Sequence, residues 1–527
     1  MGTRFVFKAL SAGAVATAGG LSAFFTTARD EWPEVAYSVK KQLGIIPTPP
    51  RDVPRTKVCV LGSGWGAMSL IKRLDPDQVD LTVISPRSFF FYTPLLAGCS
   101  TGTVSYTSLT ESVRWHLAKF TNSWGGQGTF MQAHATDVDF KNQKVTCVSS
   151  GGYHGDKNGS GPVKTVIDYD HLIVAVGAEP NTFNIKGVQQ HAIMMKEVED
   201  SLKVQRQILE NLEYASALWK SGAPESQVKK ALNWVVVGGG PTGVELTAEL
   251  CDLVNDDVTS YFPHFKDVIK ITLVEATGKV LGMFSPAISE FAKASLEKQG
   301  ARVWCDTFVT GMDNAKVTLK NATNKTEFAE EYGVLVWAGG IGARPVTHQL
   351  ARKIGGEQLP EKGPFRGLKV DNKFRVKGVD NVWALGDCAL SGYAPTAQAA
   401  FQQGNYLGRM FRVTNMQPDA VENYEEFKFL NYGSLAYVGS SQGVADLKVR
   451  MWDGVAERKD QPKKDGDDST LIFGTGAFAI WRSLYFSKVL SARNRFQVAF
   501  DWTNRAMFGR EISTPFNQAE LENLNQP

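Results

Sequence analysis

The chain has 527 residues, 43% of them hydrophobic and 21% charged, with a formal net charge of +3. That length supports two or three domains, each with its own core. So even a charge balance, with no basic run interleaved with aromatics, argues against a nucleic-acid partner. The six cysteines are scattered without a CxxC pair and the seven histidines without an HExxH spacing, so neither a redox disulfide nor a metal site is encoded locally.

Residues 1–52 read as a targeting or membrane segment followed by a linker. Arg4 and Lys8 precede an uncharged, Ala/Gly-rich stretch from Ala9 to Ala28, and the first acid is Asp30. Early basic residues without acids suit an organellar presequence. The stretch is also long enough to span a bilayer, and a secretory signal is a third reading. A Pro-rich linker, Ile46 to Pro54, follows.

From Lys57 onward, short β-branched runs alternate with helical patterns, the signature of doubly wound α/β folding. Residues 53–185 form a first unit. Lys57–Leu61 is its first strand, a helix starts at Met68–Leu74, Leu81–Ser85 is the second strand, and Leu172–Gly177 is a buried strand ending in a glycine turn. The Gly-rich stretch Gly151–Gly161 reads as an exposed hairpin tip. Residues 186–345 repeat the order: strand Asn233–Val237, helix Gly243–Leu253, strand Ile271–Glu275, and Val334–Gly340 ending again in glycine. Residues 346–420 carry a third strand-turn, Val382–Ala389, with no evident counterpart in the second unit, and a helix from Ala397 to Arg412. Glu457–Ser469 reads as a charged loop.

Each unit opens on a glycine loop between strand and helix. Gly62, Gly64 and Ala67 fit GxGxxG/A, and Gly238, Gly240 and Gly243 fit GxGxxG. The first glycine makes the tight turn, the second lets the backbone approach a pyrophosphate, and the third permits close helix–strand packing at a positive helix terminus. Two such loops about 175 residues apart point to two dinucleotides that exchange electrons. The residue closing the second strand separates them. Glu275 can accept hydrogen bonds from both ribose hydroxyls and repels a 2′-phosphate, which favours NADH over NADPH. Ser85, at the equivalent place in Ile-Ser-Pro-Arg, cannot, so the first nucleotide is held differently. Asp387, after Leu-Gly at a strand end, suits a sugar-alcohol hydroxyl beside the pyrophosphate.

These motifs, over roughly Lys57 to Arg412, resemble the two-dinucleotide-binding flavoprotein superfamily. Within it, Phe90-Phe91-Tyr92-Thr93-Pro94-Leu95-Leu96 and Pro395-Thr396-Ala397-Gln398-Ala399-Ala400-Phe401-Gln402-Gln403-Gly404 are similar to segments of type II, non-proton-pumping NADH:quinone oxidoreductases of the mitochondrial branch. The resemblance implies non-covalent FAD on Gly62, Gly64, Trp65, Ala67, Ser85, Pro86, Arg87, Thr93, Gly177, Gly386, Asp387, Ala397 and Gln398. It implies NADH on Gly238, Gly240, Pro241, Thr242, Gly243, Glu245, Glu275, Gly339 and Gly340. Ubiquinone would meet Ala397, Gln398, Gln402 and Gln403, with Glu245, Gln398 and Gln402 as the catalytic set. Glu245 would steer NADH or relay protons, and the helix N-terminus at Ala397 would stabilise the anionic reduced flavin. No metal is expected.

The tail belongs to a last region, residues 421–527. Around a helix in Trp481–Arg510, Phe496, Ala499, Phe500, Trp502, Ala506 and Met507 fall within an arc of roughly 160°. Lys488, Arg493, Arg495, Arg505 and Arg510 add basic charge, which suits docking on anionic lipid. The segment is also similar to the membrane-anchoring tail of the mitochondrial enzymes. The expected architecture is therefore α/β: two Rossmann-like dinucleotide-binding domains, for FAD and NADH, plus a C-terminal membrane-docking helical segment. The expected place is the mitochondrial inner membrane, on either face, with a homodimer as a further possibility. A flavoprotein redox sensor of the apoptosis-inducing-factor type and a sulfide:quinone oxidoreductase are the rival readings. The latter needs two cysteines facing the flavin.

Overall fold

A computed structural model describes residues 37, 39–41, 43–45, 54–121, 127–150, 161–447 and 470–513. The leader, the Gly-rich insertion up to residue 160 and the charged stretch 457–469 lie outside the described residues.

The first unit is built on a parallel sheet in the order Val382–Ala384, His171–Val174, Thr56–Leu61, Val79–Ser85, Gly128–Asp139. Two antiparallel strands, Lys144–Ser149 and Lys164–Asp168, extend its far edge. The central strand Thr56–Leu61 is buried from Val58 to Leu61, as its β-branched run requires of a strand covered on both faces. Helix Trp65–Arg73 follows the first glycine loop and packs against helix Ala397–Thr414. Two glycines permit that approach: a Cβ on Gly404 would lie 2.2 Å from the Gly66 carbonyl, and one on Gly408 2.8 Å from that of Leu70.

The second unit repeats the plan: Ile193–Met194, Val334–Trp337, Asn233–Val237, Lys270–Val274 and Ala301–Trp304, all parallel. Three antiparallel strands, Thr307–Met312, Lys316–Asn321 and Glu327–Glu331, follow as a separate sheet. The strand Val382–Ala384 therefore does have a counterpart. Ile193–Met194 occupies the same edge position in the second sheet, but it precedes its unit's glycine loop and is two residues long, too short for a periodicity to show. The short strands Ala178–Pro180 and Ile341–Ala343 pair antiparallel where the chain crosses between the units.

The last region adds a small antiparallel sheet, Ser434–Tyr437, Gly443–Leu447 and Thr470–Phe473, and two helices, Gly474–Lys488 and Ala492–Phe508. The final helix buries Asn494 and Val498. Asn494 donates to the carbonyls of Ser108 (3.0 Å) and Thr110 (2.9 Å), and Asp501 accepts the Ser105 amide at 2.9 Å. That leaves Phe496, Phe500, Met507 and Phe508 exposed. Trp502 is not on the outer face but stacks beneath Arg482, 4.1 Å from its guanidinium carbon. Arg510 is no surface cation: it is buried and bonded to Asp257 at 2.6 Å and Glu249 at 3.2 Å. Among the described residues no helix is long and apolar enough to cross a membrane.

Candidate functional site

The two glycine loops have the same build. Gly62 (φ +108°) and Gly238 (φ +113°) take a backbone conformation that L side chains avoid, and a Cβ would lie 2.3 Å from the Ala175 carbonyl and 2.5 Å from the Ala338 carbonyl, respectively. At the second glycines, Gly64 and Gly240, a Cβ would meet nothing within 4 Å. That open backbone is the approach a pyrophosphate needs. Gly243 completes the second loop, since its Cβ would lie 1.8 Å from the Gly238 carbonyl, whereas the first unit accepts Ala67 at that place.

The strand-end residues lock these loops in different ways. Ser85 shares a 3.0 Å hydrogen bond with Ser63 and accepts the Arg87 amide at 3.2 Å, tying the first loop to Pro86–Arg87. Glu275 accepts the Gly239 amide at 2.5 Å on one oxygen and the Thr277 amide at 2.7 Å on the other. It thus stands over the second loop with a negative charge that the first loop lacks.

One cavity of about 2240 Å³ joins all three regions, larger than the roughly 300–1,000 Å³ of a single-ligand pocket. The first unit contributes Gly62, Gly64, Trp65, Ser85, Pro86, Arg87, Thr93, Gly177, Gly386, Asp387, Ala397 and Gln398. The second contributes Pro241, Thr242 and Glu245, and the last region Ser434, Ile480, Tyr485 and Lys488. Ala67, Gly238, Gly240, Gly243, Glu275, Gly339 and Gly340 do not line it, so most of the second loop lies to one side. Trp65 is set in its wall by a 3.0 Å bond from its indole N–H to Thr93 Oγ1 and by edge contact with Phe90.

Helix Ala397–Thr414 begins at the cavity. Thr396 caps it, accepting the Ala399 amide at 3.2 Å, so its free N–H groups and positive end face the space beside Ala397 and Gln398. Of the three glutamines, Gln398 alone lines the cavity, and its carbonyl accepts the Tyr432 amide at 3.3 Å. Gln402 shares its helix face but is roofed by the chain at Leu430, whose amide and carbonyl it bonds at 2.9 and 2.8 Å. Gln403 is buried, accepting the Gly386 amide at 2.7 Å and donating to Ser391 at 3.1 Å. The Gln402 and Gln403 amides are thus bonded to backbone and hydroxyl partners, among them Gly386, which itself lines the cavity.

Glu245 sits one turn into helix Pro241–Leu253, buried beneath the last region. Its Oε1 accepts the Tyr437 amide at 3.2 Å and the Trp481 indole N–H at 3.1 Å. Burial pushes its carboxyl up to about 8; the two donors oppose that, and the Glu249 charge adds to it. It is therefore a protonated acid at neutral pH, facing the shared cavity.

Three charged residues at the site carried no motif. Glu197 pairs with Arg87 and, at 3.0 Å, with Arg344, bridging the first unit and the crossover. Lys196 stands 3.6 Å from the Asp387 carboxylate. A reciprocal cap between Glu197 and Asp200, which starts helix Val198–Lys220, is the only sequence signal that marks this place. No cysteine lines the cavity, and Cys388, the nearest in sequence to Asp387, is buried with its thiol on the Val174 and Leu385 carbonyls.

The chain matches the pyridine nucleotide-disulphide oxidoreductase family over residues 56–404 and the NDH2 C-terminal domain over residues 432–511. It is 34% identical to the external alternative NADH-ubiquinone oxidoreductase of Yarrowia lipolytica mitochondria, covering 88% of this chain and 81% of that one. It is 33% identical to external NADH-ubiquinone oxidoreductase 2 of Saccharomyces cerevisiae mitochondria, covering 94% and 90%. Among solved structures, that of NDH2 from Plasmodium falciparum in complex with NADH superposes with a TM-score of 0.76 at 28% identity, covering 87% of this chain and all of that one. A sulfide:quinone oxidoreductase from Aquifex aeolicus, 14% identical with a TM-score of 0.59, shares the fold alone.

Proposed function

Because this chain belongs to the type II NADH:ubiquinone oxidoreductases, we propose that its cavity of about 2240 Å³ is where both substrates meet one flavin. The protein is a mitochondrial enzyme that binds FAD, oxidises NADH and reduces ubiquinone. The rival readings are not favoured. A sulfide:quinone oxidoreductase needs cysteines at the flavin, and none lines this cavity.

The observation that carries the residue assignment is that Gly64, Asp387, Gln398, Thr242 and Glu245 all border the same space. FAD fits the first loop on three grounds: the open face at Gly64, the absence of an acid at Ser85, and Asp387 at the cavity floor. Bound there, it supplies two-electron transfer between NADH and quinone. Arg87 and Lys196 place positive charge on its side of the cavity, and the N-terminus of helix Ala397–Thr414 offers amide donors where negative charge gathers on reduction. NADH is held by the second loop, with Glu275 on its ribose and Pro241, Thr242 and Glu245 at the cavity edge. Gln398, Tyr485 and Lys488 border the space left for the quinone head, and Glu245 holds the proton that quinone reduction consumes. Gln402 and Gln403 act one step back, fixing the chain at Leu430 and the Gly386 turn. The exposed aromatics of the final helix dock it on the membrane surface.

The test is direct. Purified protein carries FAD and oxidises NADH with a short-chain ubiquinone. Gln398→Ala raises the KM for quinone while leaving reduction of the flavin by NADH at its original rate. Loss of the NADH half-reaction in that variant would overturn the quinone-side assignment, and protein without flavin would overturn the whole scheme.

A further inference from the structure

Behind Glu245 a line of acids leaves the cavity. Glu245, Glu249, Asp252 and Asp256 recur at steps of four, three and four residues along helix Pro241–Leu253 and the turn Val254–Val258 that continues it, so they share one helix face. At 1.5 Å per residue, Asp252 lies about 10 Å along the axis from Glu245. The first three are buried, while the Asp256 side chain is 52% exposed and lies 3.2 Å from Arg505.

These acids differ in charge. Burial disfavours ionised Glu249, but Arg510 and Arg505 overcome it, helped by the Thr103 (2.6 Å) and Thr101 (2.9 Å) hydroxyls, and its carboxyl is held below the usual range. Glu249 is thus a fixed anion. Burial and that anion raise Asp252 to about 6, against the opposing bonds from Tyr437 and the Ser440 amide and the charge of Arg505. Both neighbours of Glu249 along the line therefore keep protons more readily than free carboxylates do.

A second, small cavity lies beside Glu245, which borders both spaces. It measures about 30 Å³, room for one water, and is lined also by Glu249, Tyr437, Arg482 and Arg505. Among the described residues, Arg482 has aromatic rings against it but neither a carboxylate nor a hydrogen-bond acceptor. Its half-buried guanidinium, with Arg505, Glu249 and Tyr437, offers a water in the cavity both donors and acceptors. Tyr437 then links the cavity outward, because its hydroxyl donates to Asp252. The titratable or charged groups around Glu245 are Glu249, Tyr437, Tyr485, Arg482 and Arg505.

We propose that this small cavity holds one water, and that Asp252, Tyr437, the water and Glu245 form a proton route from solvent near Asp256 and Arg505 to the quinone. The proposal rests on the reading of Glu245 as proton donor. The reaction NADH + Q + H⁺ → NAD⁺ + QH₂ draws one net proton from solvent, and the hydride of NADH accounts for the other hydrogen. One passage along the route supplies it. Glu245 gives its carboxyl proton to a quinone oxygen and takes one from the water. The water takes the Tyr437 hydroxyl proton, Tyr437 takes that of Asp252, and solvent reprotonates Asp252. No electrons move in these steps. The last region completes the route, since Tyr437, Arg482 and Arg505 all belong to it.

The experiment uses the FAD-loaded full chain with Asp252→Asn, Tyr437→Phe and Glu245→Gln. The first two lower quinone reduction by about tenfold or more, the scale of a lost proton-transfer group, and enlarge its solvent deuterium isotope effect. Flavin reduction by NADH keeps its rate. In resting protein moved to D₂O, the infrared band of the protonated Glu245 carboxyl shifts more slowly in both variants than in the original chain. Unchanged quinone turnover and unchanged exchange in Tyr437→Phe, which keeps the ring in place even where Asp252→Asn fails to fold, overturn the route. If Glu245→Gln is slow while those two variants are not, the route alone falls. If Glu245→Gln keeps full turnover, the donor assignment falls, and the route with it.

Discussion

The side-chain carbonyl of Gln403 accepts the backbone N–H of Gly386 at 2.7 Å, joining the second turn of helix Ala397–Thr414 to the turn that presents Asp387. Gly386 is in the left-handed region (φ +73°), and this bond supports that geometry from behind while the Gln403 amide nitrogen holds Ser391 at 3.1 Å. An acid beside a flavin is only as useful as the turn that aims it.

Gln403→Leu keeps the volume but leaves the Gly386 N–H without its partner, at a cost of about 1–3 kcal/mol. The expected result is a lower melting temperature and FAD that is lost more readily on dilution or dialysis, with Gln403→Glu restoring part of the retention. Equilibrium titration of the apoprotein with FAD measures it. An unchanged FAD affinity in Gln403→Leu would mean that the Asp387 turn holds its shape unaided.

Arg510 shows what sequence patterning alone could not resolve. As a basic residue after an amphipathic run it read as a lipid contact, yet its side chain is fully buried between Asp257 and Glu249. Removing one partner of a buried ion pair strands the others, a loss of about 3–5 kcal/mol. Arg510→Ala is therefore expected to lower stability far more than Arg493→Ala, on the exposed face of the helix Ala492–Phe508 that precedes it. Chemical denaturation of the two variants checks this. Equal losses would contradict the buried network.

The same contrast explains which parts of the site could be read from the chain. The glycine loops are local: turn, open approach and helix packing occupy six consecutive positions, so their chemistry is written in spacing. Strands such as Asn233–Val237 are fixed by unbroken apolar runs. The edge strand Ile193–Met194 has no such run, and its place comes from pairing with Val334–Trp337. The state of Glu245 depends on Tyr437 and Trp481, 192 and 236 residues away, which no local pattern connects. The partner of Gln402 is hidden from the sequence for a related reason. Helical spacing puts Gln402 on the face of Gln398, but the segment at Leu430 covers that face one turn further along.

Glu245 also gives the enzyme a pH-dependent stability with a definite sign. Its carboxyl rises from an ordinary 4.5 to about 8 on folding, with burial the leading cause. The folded state therefore holds a proton that the unfolded chain releases above pH 4.5. Its contribution is fully present below that pH, falls as pH rises toward 8, and is level beyond. Glu245→Gln, which is neutral throughout, removes this slope. Urea unfolding of both chains from pH 5 to 9 gives the comparison. Parallel curves would show that the carboxyl is ionised in the folded protein.

The last prediction concerns the outer face of helix Ala492–Phe508. Its inner side is fixed by Asn494, Val498 and Asp501, so the exposed Phe496 and Phe500, one turn apart, cannot turn inward without breaking the bonds to Ser105, Ser108 and Thr110. Burying a phenylalanine in an apolar phase is worth about 1.5–3 kcal/mol, so two of them on a pre-formed helix dominate its affinity for a bilayer. Phe496→Ser with Phe500→Ser is expected to shift the protein from vesicle-bound to free in flotation with anionic liposomes, while its NADH oxidation with a water-soluble quinone stays intact. Salt weakens binding of the original chain only partly, because Arg493 adds an electrostatic share that is screened, whereas the aromatic share is not. If the double variant floats as well as the original, the aromatic face serves a protein contact instead. A change in sedimentation with concentration, abolished by the same two substitutions, would identify that contact as a second copy of the chain.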